Sequence, residues 1–318
     1  MCIDRISVVL ILSLLLIPSR FARGEQVTVA CWNMEWLFDD DTSDDNSVIG
    51  HRQAAPSAVD FRWRLGVIAD AIHEMQPHVL ALQEIENYRV VQEIARTLSE
   101  QHGLQYNVAF TQGLDTYTGQ DVAFLIRQGI EYSWGRFDFD HVSPEFRNLS
   151  KHLYLDAIVE NEEFTFVTVH LIASNQDRRR QQGNTLRAWI EDWIEDYNLI
   201  VLGDFNTGVS YSRTRPDTEI GHIRGLHTPS SLDDLIDCHA FIGRSDRRTH
   251  VSGRQLDRIL LSPQLVDDDG LRLVAAETRR DLAIRGTRAD RGNYWSTSED
   301  ERDISDHFPV VAKFSTSG

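Results

Sequence analysis

Short β-branched and aliphatic runs recur along the chain at 27–32, 79–82, 122–126, 164–169, 199–202, 259–261 and 308–314. Mostly apolar runs of this kind describe strands covered on both faces, because a strand with one face in water alternates with period two. Between some runs the apolar residues instead return every three or four positions. Leu65, Ile68, Ala69, Ile72 and Met75 do so, as do Val91, Ile94, Ala95 and Leu98, and then Leu186, Trp189, Ile190, Trp193, Ile194 and Tyr197. That period lines one face of a helix, and its tryptophans and methionine are core residues. Doubly covered strands alternating with one-sided helices require an α/β or α+β fold with helices over sheet faces.

No internal repeat or low-complexity linker divides the 318 residues, so the sequence predicts one domain, 25–318, behind a short leader. Residues 1–24 carry Arg5, an apolar run at 6–17, then Pro18, with Ala22 and Gly24 at the small-residue positions of a cleavage site before Glu25. This is the pattern of a secretory signal peptide, and the run is too short to span a bilayer comfortably. The expected product is a secreted or periplasmic monomer with no stable membrane anchor. Export leaves Cys31 and Cys238, for which a disulfide and two separately buried thiols are both compatible readings. Polar insertions at 39–60, 207–225 and 277–304 are long enough to form functional rims.

Composition matters chiefly through charge. At 41% hydrophobic and 25% charged residues the chain is not wholly disordered. Its formal charge is -17, and loss of a leader bearing three Arg and one Asp takes it to -19. So acidic a protein cannot hold nucleic acid or other polyanions by its overall field. An anionic substrate needs local arginines or bound cations.

The polar residues gather at strand ends. Asn33 and Glu35 follow the first run, Gln83-Glu84-Ile85-Glu86-Asn87 the second, His170 the fourth, and Gly203-Asp204-Phe205-Asn206 the fifth. Asp257 opens the sixth run and Ser305-Asp306-His307 the last. Carboxylates, an amide and histidines at one end of several strands converge on one sheet edge. Hard oxygen donors from scattered strands suit Mg²⁺, with Mn²⁺ or Ca²⁺ as alternatives, and no cysteine or histidine spacing indicates structural zinc.

Trp32-Asn33-Met34-Glu35, Leu82-Gln83-Glu84, Val169-His170-Leu171, Gly203-Asp204-Phe205-Asn206, Leu256-Asp257-Arg258-Ile259 and Ser305-Asp306-His307-Phe308-Pro309-Val310 together resemble the endonuclease/exonuclease/phosphatase superfamily. They stand in that family's order and cover nearly all of the chain after the leader. The resemblance implies a four-layer α/β sandwich, two packed mixed β-sheets flanked by helices, and divalent-metal hydrolysis of phosphate esters. It implies a metal held by Glu84 with Asn33 and Asp306, and an attacking water positioned by Asp204 and Asn206. His307 and Asp257 resemble a histidine–carboxylate pair, and His170 the second histidine, on the leaving-group side. Asp121 is the candidate partner of His170, with Gln120 as its competitor.

Arginines near these motifs are candidate phosphate clamps, since a guanidinium offers planar paired donors. Arg178 and Arg254 are the candidate substrate contacts; Arg179, Arg180, Arg244, Arg247, Arg248, Arg279 and Arg280 cluster nearby. Within the family, Gln255-Leu256-Asp257-Arg258 lacks the Trp and Cys of the inositol phosphatases. Tyr294-Trp295 keeps a sphingomyelinase-like or other phosphatase-type alternative open. The leading expectation is a nuclease that binds a phosphodiester substrate, nucleic acid, weakly and with strong metal and salt dependence. A non-catalytic binding protein on the same fold is the remaining alternative.

Overall fold

A computed structural model describes residues 26–43, 54–113, 117–136, 149–267, 271–286 and 294–316; the expected leader at 1–24 lies outside the described residues. In the first half of the chain the strands are β1 (Gln26–Leu37), β2 (Val79–Ile85), β3 (Tyr106–Phe110), β4 (Asp121–Arg127), β5 (Glu131–Gly135) and β6 (His152–Val159). Then come β7 (Glu162–His170), β8 (Leu199–Asp204), β9 (Ile236–Asp237), β10 (Asp257–Leu261), β11 (Leu271–Thr278) and β12 (Val310–Thr316). The helices are α1 (Ala58–Met75), α2 (Tyr88–His102), α3 (Gln176–Ile190), α4 (Glu219–Arg224) and α5 (Arg280–Ala283).

The strands form two six-stranded mixed sheets, ordered β11-β12-β1-β2-β4-β3 and β5-β6-β7-β8-β10-β9. β1 shows why both faces must be covered. Val27, Val29 and Cys31 enter the core between the sheets, whereas Ala30, Trp32 and Met34 enter a second core under α1 and α2. A third core packs Leu186, Trp189 and Ile190 of α3 against Val167, Val169 and Val201. Helices, sheet, sheet and helices are the four expected layers.

Each sheet holds one parallel pair, β1 with β2 and β7 with β8. Parallel neighbours need a crossover, supplied by α1 and α3. Side-chain oxygens of Ser57, Asn87 and Asn175 cap the first turns of α1, α2 and α3 by accepting a backbone N–H. The apolar stripe through Tyr197 predicts a longer α3, but the helix stops at Ile190 and a 3₁₀ turn follows over Glu191–Trp193. Glu191, Asp192, Glu195 and Asp196 crowd acid onto the negative end of the helix dipole, which disfavours continuation.

Cys31 and Cys238 are separate free thiols buried between the sheets, and burial pushes both thiols up. Among the described residues no helix is long and apolar enough to cross a membrane.

Candidate active site

Strand register brings the polar residues together. In the second sheet His170 of β7 pairs with Asp204 of β8, and Asp204 pairs across the other side with Asp257 of β10. Three candidate residues therefore form one row at the C-terminal ends of the parallel pair. Gly203 lets the row close: its φ is 135°, and a Cβ there would lie 2.1 Å from the Val169 carbonyl oxygen.

The first sheet contributes through irregular backbone. Asn33 pairs with Gln83, after which the register of β1 against β2 shifts before Leu37 meets Ile85. Glu35, Trp36 and Glu84 in this bulge take left-handed φ values of 46°, 52° and 60°. Such conformations strain non-glycine residues and persist only where the surroundings hold them. Arg64 of α1 supplies the hold, its buried guanidinium donating to the carbonyls of Met34, Glu35 and Trp36. Trp36 N–H donates to Glu84 Oε2 at 2.9 Å, and Asn33 Nδ2 bridges Glu84 Oε1 and Asp204 Oδ2 at 2.9 and 3.0 Å. Asn33 Oδ1 accepts from Glu35 N–H at 2.9 Å. One amide thus joins a carboxylate of each sheet.

Asp204 Oδ1 accepts from Asn206 N–H at 2.8 Å, while Asn206 Nδ2 donates to the Leu171 carbonyl at 2.9 Å. His307 Nδ1 lies 2.8 Å from Asp257 Oδ2, so the acid fixes the proton on Nδ1. His307 Nε2 faces the site, 3.9 Å from Asp204 Oδ2 and 3.8 Å from Asp306 Oδ1. Asp306 Oδ2 lies 3.0 Å from His250 Nε2, and Asp306 N–H donates to Glu35 Oε2 at 2.7 Å.

Charge is balanced locally. Burial pushes Asp204 up, and neighbouring Asp257 and Glu84 add to this while His307 opposes it. Burial acts upward on Glu84 too, but His170, His307 and the hydrogen bonds from Asn33 and Trp36 bring it below its ordinary value. For His307, burial acts downward and is outweighed by Asp257, Asp204 and Glu84, which raise it. Glu84, His170 and Asp204 offer ligand atoms all within 4.8 Å of one another. His170 Nε2 stands 3.6 Å from Asp204 Oδ2 and 3.8 Å from Glu84 Oε1. Buried acids at this spacing, with Asp204 destabilised as an anion, form a donor set that fits a divalent cation.

His170 of the row lines a cleft of about 960 Å³ together with Trp36, Glu84, Tyr117, Gln120, Lys151 and Arg178. Lys151 Nζ donates to Thr118 Oγ1 at 2.8 Å, and its carbonyl accepts from His170 N–H at 3.1 Å. Arg254 is exposed on the turn before β10, where its carbonyl accepts from Thr249 N–H, and it is not among the cleft-lining residues. Asp121 accepts from Gln112 and Gly113 at 2.8 Å each. Gln120 is the one that enters the site, donating to Glu84 Oε2 at 3.2 Å. Register explains the difference: Asp121 begins β4 beside Ile85, whereas Gln120 precedes the strand.

Other expected anion contacts have structural partners. Arg179 is buried against Glu219 and the carbonyls of Ile172 and Ala173, Arg247 stacks over Tyr211, and Arg279 pairs with Asp281. The Tyr294-Trp295 pair is not a free apolar tip: Arg64 and Arg302 stack on these rings, and Trp295 packs on the helix-side core. Glu35, Trp36, Lys151 and His250 join the site without a role read from sequence. Glu35 stood in a quoted motif, and Lys151 is one of two lysines in the chain. His250 offers no local signal, because a distant pairing brings it in.

The sequence matches the Endonuclease/Exonuclease/phosphatase family over residues 31–307. No curated protein sequence matches the chain. Among solved structures, TDP2 of D. rerio complexed with single strand DNA product aligns with a TM-score of 0.58 and 17% identity, covering 92% of this chain and 99% of that one. An endonuclease/exonuclease/phosphatase from Bacteroides vulgatus gives 0.55 and 14%, covering 92% and 100%. The mannosyl-6-phosphatase of Bacteroides thetaiotaomicron gives 0.53 and 16%, covering 91% and 99%. At these identities the likeness is one of fold.

Proposed function

The chain belongs to the endonuclease/exonuclease/phosphatase family, and on that premise we propose that it is an exported, divalent-metal-dependent phosphodiesterase acting on nucleic acid. The observation that carries this reading is the row His170, Asp204 and Asp257–His307 set against Glu84 and Asn33, with His170 and Glu84 lining one cleft. Glu84, with Asp306, would hold the cation, Mg²⁺ or Mn²⁺. When bound, the ion offsets charge on a phosphoryl oxygen and stabilises what develops in the transition state.

The remaining chemistry belongs to the chain. Asp204, raised by burial, accepts a proton from the attacking water, and the Asn206 N–H holds the carboxylate in place. His307, kept cationic by Asp257, presents its Nε2 proton to the phosphate. As the phosphorus–oxygen bond to the leaving group breaks, His170 supplies the proton that oxygen needs. Asn33 sets the spacing of Glu84 and Asp204 by donating to both. Lys151 and Arg178 give the local positive charge that the overall charge denies. Trp36 and Tyr117, which line the same cleft, would stack on bases, which favours nucleic acid over a sugar phosphate.

The test incubates protein lacking 1–24 with plasmid DNA, RNA, bis(4-nitrophenyl) phosphate, mannose 6-phosphate and sphingomyelin vesicles, each with Mg²⁺, with Mn²⁺ and with chelator. Metal-dependent cleavage of DNA or RNA is expected. No metal-dependent turnover on any substrate sinks the enzyme reading; hydrolysis of lipid or sugar phosphate alone replaces the nuclease reading. Mass spectrometry of exported protein should find Glu25 at its N-terminus.

A further inference from the structure

A second histidine–carboxylate pair stands beside His307 and Asp257. His250 forms an isolated antiparallel bridge with His307. Their rings meet edge to face, with centroids 4.6 Å apart and planes at 78°. Ser252 N–H donates to His250 Nδ1 at 2.9 Å, and Ser252 Oγ lies 2.7 Å from the same nitrogen. A ring nitrogen that accepts from a backbone N–H carries no proton of its own. The proton of neutral His250 therefore sits on Nε2 and is donated to Asp306 Oδ2 over 3.0 Å.

This bond completes the fixing of Asp306. Its N–H is held by Glu35 Oε2 at 2.7 Å and its carbonyl accepts from Val251 N–H at 2.9 Å. With Oδ2 held by His250, the carboxylate cannot swing about its last torsion, and Oδ1 is the oxygen turned toward His307 Nε2. Both His250 and Asp306 are buried, so little water competes for these bonds.

We infer that His250 is a positioning residue for the metal centre: it pins one oxygen of Asp306 and presents the other to the cation. This rests on the metal-dependent reading above. Partners behind metal ligands set the ligands' orientation, and their loss commonly weakens metal binding about 10- to 100-fold. The requirement is for an N–H donor at the Nε2 position rather than for an imidazole. Glutamine carries its amide nitrogen at a comparable reach and serves in its place.

Mn²⁺ binding followed by electron paramagnetic resonance, with the full folded chain and no substrate, tests this. His250→Ala should weaken Mn²⁺ binding about 10- to 100-fold, whereas His250→Gln should stay within a few-fold of the unmodified protein, and thermal melting shows that each variant is folded. Long-range ¹H–¹⁵N spectra of the unmodified, metal-free protein should show the Nε2–H tautomer at His250, a readout independent of any variant's folding. Unchanged Mn²⁺ affinity in His250→Ala overturns the inference, as does an equal loss in folded His250→Gln, or an Nδ1–H tautomer. If the unmodified protein shows no Mn²⁺ binding that Glu84→Gln abolishes, the metal reading itself falls, and this inference with it.

Discussion

Asp257 spends one carboxylate oxygen on His307, while the other is buried with no hydrogen-bond partner. A charge is kept in such a place when its effect on the neighbouring ring outweighs the desolvation it suffers. Asp257→Asn removes the charge and lets the amide donate, so His307 loses both its tautomer and its raised proton affinity. Turnover of bis(4-nitrophenyl) phosphate should fall roughly 10²- to 10⁴-fold, with melting near that of the unmodified protein. His307→Ala should fall comparably, and adding Asp257→Asn to it should cost little more, because the two act as a unit. Additive losses would mean separate roles. Residues such as Glu84, His170, Asp204 and His307 were legible in sequence because each interrupts or abuts an apolar run. Gln120 and Asp121 are neighbours in sequence, and Gln120, just before β4, is the one that lines the cleft. His250 was silent because its place depends on a bridge to a residue 57 positions away.

The elements divide in the same way. Strands buried on both faces announce themselves as apolar runs, and β1, β2, β4, β7, β8, β10 and β12 all contain one. β6 does not, since Asp156 and Ile158 face water between buried Leu155, Ala157 and Val159. Nor do β3, where Asn107 and Val108 are half-buried, or β5 and β11, which expose Glu131, Ser133, Arg272 and Val274. No periodicity argument reveals the bulge that carries Glu35, Trp36 and Glu84, because it is a mismatch between two strands. Its hold is Arg64, with three carbonyls on one guanidinium. Arg64→Met keeps the apolar stem but leaves those carbonyls without their donor. Destabilisation on the order of 3 kcal/mol is expected in urea unfolding, and the folded fraction should lose metal-supported turnover as Glu84 loses its orientation. A variant that unfolds more readily yet keeps the normal rate per folded molecule would show that the bulge needs no clamp. Gly203→Ala acts on the other sheet, where the new Cβ meets the Val169 carbonyl. It should destabilise the protein and separate His170 from Asp204.

At the scale of the molecule, acidity and burial set how the protein responds to its solvent. Burial holds His152 down to about 3, with Arg136 adding to the effect and a hydrogen bond to the Leu149 carbonyl opposing it. In the unfolded chain the same imidazole titrates near ~6.5. Between those values the unfolded state binds a proton that the folded state refuses. The contribution is therefore complete above about pH 6.5 and drains away as pH falls toward 3, by up to about 5 kcal/mol. Urea unfolding of His152→Gln between pH 7.5 and 4 should show a flatter dependence than the unmodified protein; parallel curves would locate the acid sensitivity elsewhere. The charge of -17 acts on binding. Among the described residues lining the cleft, Lys151 and Arg178 are the lysine and arginine, against a field that repels the polymer. Two phosphate contacts give a logarithmic salt slope near about -2, so the kcat/KM on DNA should fall roughly tenfold between ~50 and ~200 mM monovalent salt at saturating metal. Bis(4-nitrophenyl) phosphate, a single small anion, should barely respond. A slope steeper than about -5 on DNA would require a wider basic track than this cleft provides. Loss of most of the slope in the double variant Lys151→Gln/Arg178→Gln would place recognition at the cleft, by local cations working against the charge of the whole.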